Sequence, residues 1–290
     1  MVDDVRTFGR EWSASLRRGS ETELRAWLDV ALACCDLADG LALEGFRRAT
    51  NPTRKPDGTF VTDVDQAIER LIRARIASAF PDHGVIGEEG EPAQADAAIR
   101  WYIDPIDGTH NYMRGIPLFG TLLAVERDAE LQIGVISAPA LRERWVAWRG
   151  GGAWSQRSRL GVSGVSAVAD ASFLYSSRRE ILRNGAAPGF DGLIELVGQE
   201  AAHGDVWGCG LVAEGNAEAV LEVDVKSWDI AAPRVVIEEA GGCLTDLAGG
   251  RSLDASAYLA SNGHLHDELL RALADVPSRG PLAIASRSMR

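Results

Sequence analysis

The chain has 290 residues, of which 46% are hydrophobic, 25% charged and 7% aromatic; this balance excludes disordered and collagen-like classes and leaves ample length for a packed core. With 30 Lys and Arg against 42 Asp and Glu, the net charge is −12, which sets the surface against phosphate backbones and anionic lipid, so neither a nucleic-acid nor a membrane partner is expected. Only Lys55 and Lys226 are lysines, and a lysine is therefore a rare event along this chain.

Residues 1–20 and 276–290 lack a sustained period and are expected as loosely held tails. From Glu21 to about Arg48 the apolar residues recur at three and four, the stripe of a long helix with one buried face. A Pro- and Gly-containing turn follows over 51–58, then a second helix from Asp65 to Phe80. The period then changes to short β-type runs at 85–86, 101–103, 122–125, 133–136 and 145–148. Beyond a Gly150-Gly151-Gly152 turn, strands are expected at 173–176, 219–223, 243–246 and 258–260. Helices are expected near 189–199, 207–214, 229–240 and 264–274. The pattern is that of an α/β chain in two closely packed halves, about 21–150 and 151–275, with the boundary between 140 and 160. Cys34, Cys35, Cys209 and Cys243 show no Cys-x-x-Cys spacing and read as small core residues in a reducing compartment. The start of the chain has no apolar signal core, and no run reaches the roughly 18 apolar residues of a membrane span, so a cytoplasmic location is expected.

The chemistry concentrates in Trp101-Tyr102-Ile103-Asp104-Pro105-Ile106-Asp107-Gly108-Thr109. A strand ending at Asp104 and a helix opening at Gly108 with Asp107 as its N-cap would set two carboxylates beside free amide donors. Two carboxylates can hold Mg²⁺, and the amides can hold phosphate; alone, the pattern also reads as a plain turn and cap. Glu88 and Glu89 close another apolar run, and Asp229 falls in the first turn of a helix. Singly these are a solvated pair and a helix-dipole acid. In α/β folds strand ends and helix starts share one crevice, where such groups converge.

Together, Glu88-Glu89, the Asp104-to-Thr109 run and Trp228-Asp229-x-Ala231-Ala232 resemble the three signatures of the inositol monophosphatase-like, Mg²⁺-dependent, lithium-sensitive phosphatase family. Lys55-x-Asp57-x-Thr59-x-Val61-Thr62-x-x-Asp65 resembles that family's upstream motif, and the likeness spans about 21–275. It implies a layered α-β-α-β-α sandwich and two or three Mg²⁺ per site, with Mn²⁺ able to substitute. It also implies a homodimer acting on a small phosphate monoester. Glu88, Asp104 and the Ile106 carbonyl resemble the first metal's ligands, and Asp104, Asp107 and Asp229 the second's. Gly108 and Thr109 resemble the phosphate-binding helix start. Asp65 with Thr109 resembles the pair that helps deprotonate the attacking water, and Glu88 and Lys55 are carried over with them as catalytic residues. The physical logic agrees: two divalent ions can neutralise the phosphoryl group, generate hydroxide and support the leaving alkoxide.

Softer motifs around Arg114, Ser137, Arg144, Gly204, Glu214 and Ser261 to His266 resemble the histidinol-phosphatase branch of histidine biosynthesis. Its substrate carries an ammonium and an imidazole, so extra anionic acceptors are expected; Asp205 and Glu222 are the candidates. The blander readings are a turn acid for Asp205 and a surface strand residue for Glu222. The alternatives in function are an inositol-1-monophosphatase or broad-specificity sugar phosphatase and, from another class, a non-catalytic regulator on the same fold.

Overall fold

The three-and-four spacing near the start folds as helix α1, Thr22–Gly45, which turns Trp27, Leu28, Ala31, Cys34, Cys35, Ala38 and Ala42 inward. The computed structural model describes residues 22–48, 52–56 and 58–274. The expected tails and Asp57 lie outside the described residues. A two-stranded antiparallel ribbon, β1 (Thr53–Arg54) and β2 (Phe60–Val61), presents Lys55 at its turn. Helix α2, Asp63–Ala79, opens on a capping box: the Thr62 hydroxyl accepts from the Val64 and Asp65 amides, and Asp65 Oδ2 accepts from the Thr62 amide at 2.9 Å.

Strands β3 (Gly84–Gly87) and β4 (Ile99–Asp107), the short helix α3 (Thr109–Met113), and β5 (Gly120–Arg127), β6 (Glu130–Ala138), β7 (Glu143–Trp148) and β8 (Gly152–Ser155) follow. The strands form one six-stranded sheet in chain order, parallel only between β3 and β4. The remainder comprises β9 (Ser172–Tyr175), α4 (Arg178–Asn184), α5 (Phe190–Ile194), β10 (Gln199–Ala201), α6 (Asp205–Ala213), β11 (Ala219–Val223), α7 (Ser227–Glu239), β12 (Cys243–Asp246), β13 (Ala257–Ser261) and α8 (His266–Ala274). Its strands form a five-stranded sheet ordered β10-β9-β11-β13-β12.

Alternation along the strands builds the layers, because successive side chains leave opposite faces. On β5, Leu123 and Val125 join the core under α1 and α2, while Leu122 and Ala124 join the core shared with α6 and α7. On β11, Val220 faces that same middle core, and Leu221 and Val223 pack toward α4, α5 and α8. Each fully buried Leu, Ile or Val contributes about 1.5–3 kcal/mol. The result is the expected α/β sandwich, layered α-β-α-β-α.

Three local expectations are corrected. The strand does not end at Asp104: β4 runs on through Pro105 to Asp107, because the register shifts there, with Asp104 opposite Leu122 but Asp107 opposite Gly120. Pro105 lies in that bulge, where its missing donor breaks no ladder bond. The N-cap of α3 is Gly108 rather than Asp107; its φ of +81° favours glycine, and a Cβ there would meet the Leu118 carbonyl oxygen at 2.8 Å. The helix expected over 189–199 stops at Ile194, and residues 199–201 form β10. At Gly198 the chain passes so close to the Ala169 carbonyl oxygen that a Cβ would lie 2.5 Å from it.

Candidate active site

The bulge in β4 is the device that assembles the site. In a regular strand Asp104 and Asp107, three residues apart, would leave opposite faces; one inserted residue restores them to the same face. Asp104 is only 2% exposed, and its Oδ1 has no hydrogen-bond partner. Burial first, then the charges of Glu88, Asp107 and Asp229, raise its pKa well above the carboxylate range. Asp229, in the first turn of α7, is held by the Lys226 amide at 2.7 Å; burial and Glu88 push it up to about 7. Asp107 is raised well above normal by burial and by Asp205, Asp229 and Glu222, against a stabilising bond from the Val206 amide. These mutual shifts place the expected ligand carboxylates in one electrostatic group. Among the described residues, no three His, Cys, Asp or Glu side chains are drawn together tightly enough to hold a metal ion as they stand.

Glu88 leaves the end of β3 and meets the scarce lysine: Lys55 Nζ donates to Glu88 Oε1 and Glu89 Oε1, both at 2.7 Å. Burial opposes the charge on Lys55, but the two carboxylates outweigh it and raise its pKa. Glu89 is nearly buried and is pushed up to about 7, chiefly by burial. Thr109 Oγ1 lies 3.1 Å from Asp65 Oδ1 and 2.9 Å from the Ile106 carbonyl. The other Asp65 oxygen accepts from both the amide and the hydroxyl of Thr62. Burial still holds the Asp65 carboxyl above its usual range.

Asp205 and Glu222 adjoin this group through Asp107. The Asp205 amide donates to Glu222 Oε1 at 2.9 Å, and Asn111 Nδ2 donates to Asp205 Oδ2 at 3.1 Å. Asp205 adopts φ +55°, a strained backbone for a non-glycine residue and one that aims its side chain. Burial and Glu180 push it up to about 6, partly offset by His110. Glu222, on β11, is raised well above normal by burial and by Asp205. At Gly204 a side chain would strike Glu222 Oε1 and the Ser176 backbone, so the glycine lets the two acids approach.

Residues 14–278 match the inositol monophosphatase family. The chain belongs to that family. Members of the family are generally metal-dependent. The histidinol-phosphatase of Mycobacterium tuberculosis is 40% identical over 252 residues, covering 85% of this chain and 97% of that one. That of Streptomyces coelicolor is 41% identical, covering 84% and 95%. The inositol-1-monophosphatase of Rhizobium meliloti is 35% identical over 73% of this chain and 81% of its own. The solved inositol monophosphatase of Thermotoga maritima superposes with a TM-score of 0.79 at 28% identity, covering 86% of this chain and 97% of its own.

Around the family's site, some contributors carry no motif and were missed by the sequence reading. Glu69, 2% exposed on α2, accepts from the Glu89 and Gly90 amides at 2.7 and 2.9 Å, and Arg73 ties Glu69 to the Gly90 carbonyl. This clamp fixes the turn that carries Glu88; its only trace in sequence is an i,i+4 acid–base pair on a helix. Asn111 belongs to no motif, yet its side-chain amide holds Asp205. Ser137, Arg144 and His266, within the softer motifs, are buried groups bonded to their neighbours. Arg144 binds Ser137, Asp36 and Asp39, and His266 sits between Thr245 and Ser261.

Proposed function

We propose that this protein hydrolyses phosphate monoesters with Mg²⁺, and that L-histidinol phosphate is its substrate, placing it in histidine biosynthesis. The observation that carries the substrate is the Asp205–Glu222 pair beside Asp107: a half-buried and a buried carboxylate, both with raised pKa values, that form no ion pair with Lys or Arg among the described residues. A substrate bearing an ammonium and an imidazole supplies the missing positive charge, whereas a polyol does not. The histidinol-phosphatases at 40–41% identity support the same choice over the inositol-1-monophosphatases at 35%.

The donor set fits Mg²⁺. Glu88, Asp104, Asp107, Asp229 and the Ile106 carbonyl offer only oxygen, as hard divalent cations prefer, and Asp104 Oδ1 is a buried atom left without a partner. When bound, Mg²⁺ supplies Lewis acidity toward the phosphoryl group and the attacking water. The chain's own residues do the rest. Thr109 carries one hydroxyl proton; donating it to Asp65 turns the threonine's lone pairs toward an incoming water and gives them basic character. The water's proton passes through Thr109 to Asp65 as its oxygen attacks phosphorus; the ester P–O bond breaks, the leaving alkoxide takes a proton from solvent water to depart as the alcohol, and Asp65 returns its proton to solvent. The Gly108 and Thr109 amides at the start of α3 are the proposed donors to the phosphoryl oxygens, with Asp205 and Glu222 receiving the amine. Lys55 balances Glu88 and Glu89 at the edge of the group.

Release of inorganic phosphate from L-histidinol phosphate with Mg²⁺, and its loss in chelator, tests this reading. No release would overturn it.

A further inference from the structure

Four arginines, Arg100, Arg149, Arg234 and Arg251, line one cavity of about 800 Å³ between β4, β5, α7 and the β12–β13 connection. In a molecule of net charge −12, these four guanidinium groups stand against three carboxylates on the same lining, Glu126, Glu130 and Asp254, with Glu238 beside them. Arg100 is paired with Glu126 at 2.6 Å, and that carboxylate also takes the Tyr102 hydroxyl. Glu238 serves both Arg149, at 3.2 Å, and Arg251, at 2.6 Å. Glu239 reaches Arg149 only at 4.0 Å and is occupied by the Gly150 and Gly152 amides.

Among the described residues no carboxylate pairs directly with Arg234. It is 4% exposed, its two terminal nitrogens donate to the carbonyls of Arg251 (2.6 Å) and Ser252 (3.2 Å), and its Nε is buried without a partner. Carbonyls satisfy hydrogens but do not neutralise charge. Glu238, one helical turn on and with a buried Oε1 that accepts no hydrogen bond, is the stronger of two carboxylates that act on Arg234 without pairing it directly; Asp246, bound by the Ala248 and Gly250 amides, is the other. A buried guanidinium left in this condition is costly unless an anion completes it.

We infer that this cavity binds a small organic oxyanion, a carboxylate or phosphate group seated on Arg234, with Arg251 and Arg100 beside it. Its volume falls within the 300–1,000 Å³ or so of small-molecule sites, and Leu131 and Leu253 leave room for a carbon body. The site is distinct from the carboxylate group. Arg234 follows Asp229 by five residues on α7, which turns the two side chains about 140° apart around the helix. Exposed Glu130 and Asp254 at the cavity wall would repel a ligand of high negative charge, favouring one anionic group per molecule.

Thermal unfolding in chelator, where no divalent ion can retain phosphate at the carboxylate group, tests the site. Inorganic phosphate and malonate are the probes, each titrated against chloride at equal ionic strength. The inference predicts a saturable rise in Tm with at least one of them; the effective probe shows whether the seat prefers phosphate or carboxylate. Arg234→Gln is expected to abolish that rise. Arg251→Gln, at a side chain 58% exposed and so tolerant of exchange, is expected to raise the half-saturating concentration on the order of tenfold, as loss of one charge-assisted bond does. A linear, unsaturated rise, or a saturable rise unchanged in Arg251→Gln, would overturn the inference, because general salt effects need no arginine.

Discussion

Asp107 stands where the two groups of acids meet. On one side are Asp104 and Asp229, on the other Asp205 and Glu222, and their charges together with burial hold its carboxyl far above the ordinary range. Asp107→Asn is expected to reduce Mg²⁺-dependent turnover by on the order of 10²–10³-fold, the scale of losing one preorganised electrostatic group. The same change removes a repelled charge, so Tm in chelator should hold or rise; steady-state kinetics beside thermal unfolding check both. A fall in turnover accompanied by a fall in Tm would mean that Asp107 is structural. At this scale the sequence was informative where the residue type names the chemistry. The five acids Asp65, Glu88, Asp104, Asp107 and Asp229 are such residues, and in the structure they act on one another electrostatically, Asp65 through Glu88. Asn111 was not legible, because an amide that holds Asp205 from 94 positions away leaves no local pattern.

Among the elements, α1 and α2 were legible because a buried helix face imposes a period that few other structures share. The strands of the first sheet were legible from their β-branched and aromatic runs. What failed was set by neighbours rather than by propensity. Pro105 reads as a strand terminator until the register shift against β5 is known, and that shift is what turns Asp104 and Asp107 to one face. The apolar run after Phe190 reads as a long helix, but the close passage of Gly198 along Ala169 leads the chain into β10. The clamp of α2 on the Glu88 turn yields a prediction of its own. Glu69→Ala strands the Glu89 and Gly90 amides and frees Arg73, loosening Glu88 without touching it. The Mg²⁺ concentration for half-maximal activity should rise roughly 10–100-fold, as loss of an outer-shell support does. The maximal rate at saturating Mg²⁺ should be largely kept. A Mg²⁺ titration of activity measures the split, and an unchanged half-maximum would remove the clamp from the account.

For the whole molecule, an excess of acids proves to be unevenly spent. Part of it is concentrated at the meeting of the two sheets, where folding forces carboxylates together. The pH dependence follows in sign. Asp205 and Asp229 have folded pKa values of about 6 and about 7, above the roughly 4 of the unfolded chain. Between those values the folded state binds more protons, so metal-free stability falls as pH rises from about 4 to about 7. Tm in chelator should therefore be higher at pH 5.5 than at pH 7.5, by on the order of 5 °C for a chain of this size. Mg²⁺ should reverse the order, since its affinity grows as the carboxylates ionise. Thermal scans at the two pH values, with and without Mg²⁺, check the crossing; a metal-free Tm that climbs with pH would contradict it.

In the proposed function, a carboxylate pair beside the phosphatase centre selects a cationic alcohol. The most direct measurement is kcat/KM with Mg²⁺ for L-histidinol phosphate and inositol 1-phosphate, in the natural chain and in Asp205→Asn. A preference for histidinol phosphate of at least about 100-fold is expected, reduced about tenfold or more in Asp205→Asn through a rise in KM for that substrate alone. A preference for inositol 1-phosphate, or an equal effect of the substitution on both substrates, would contradict it.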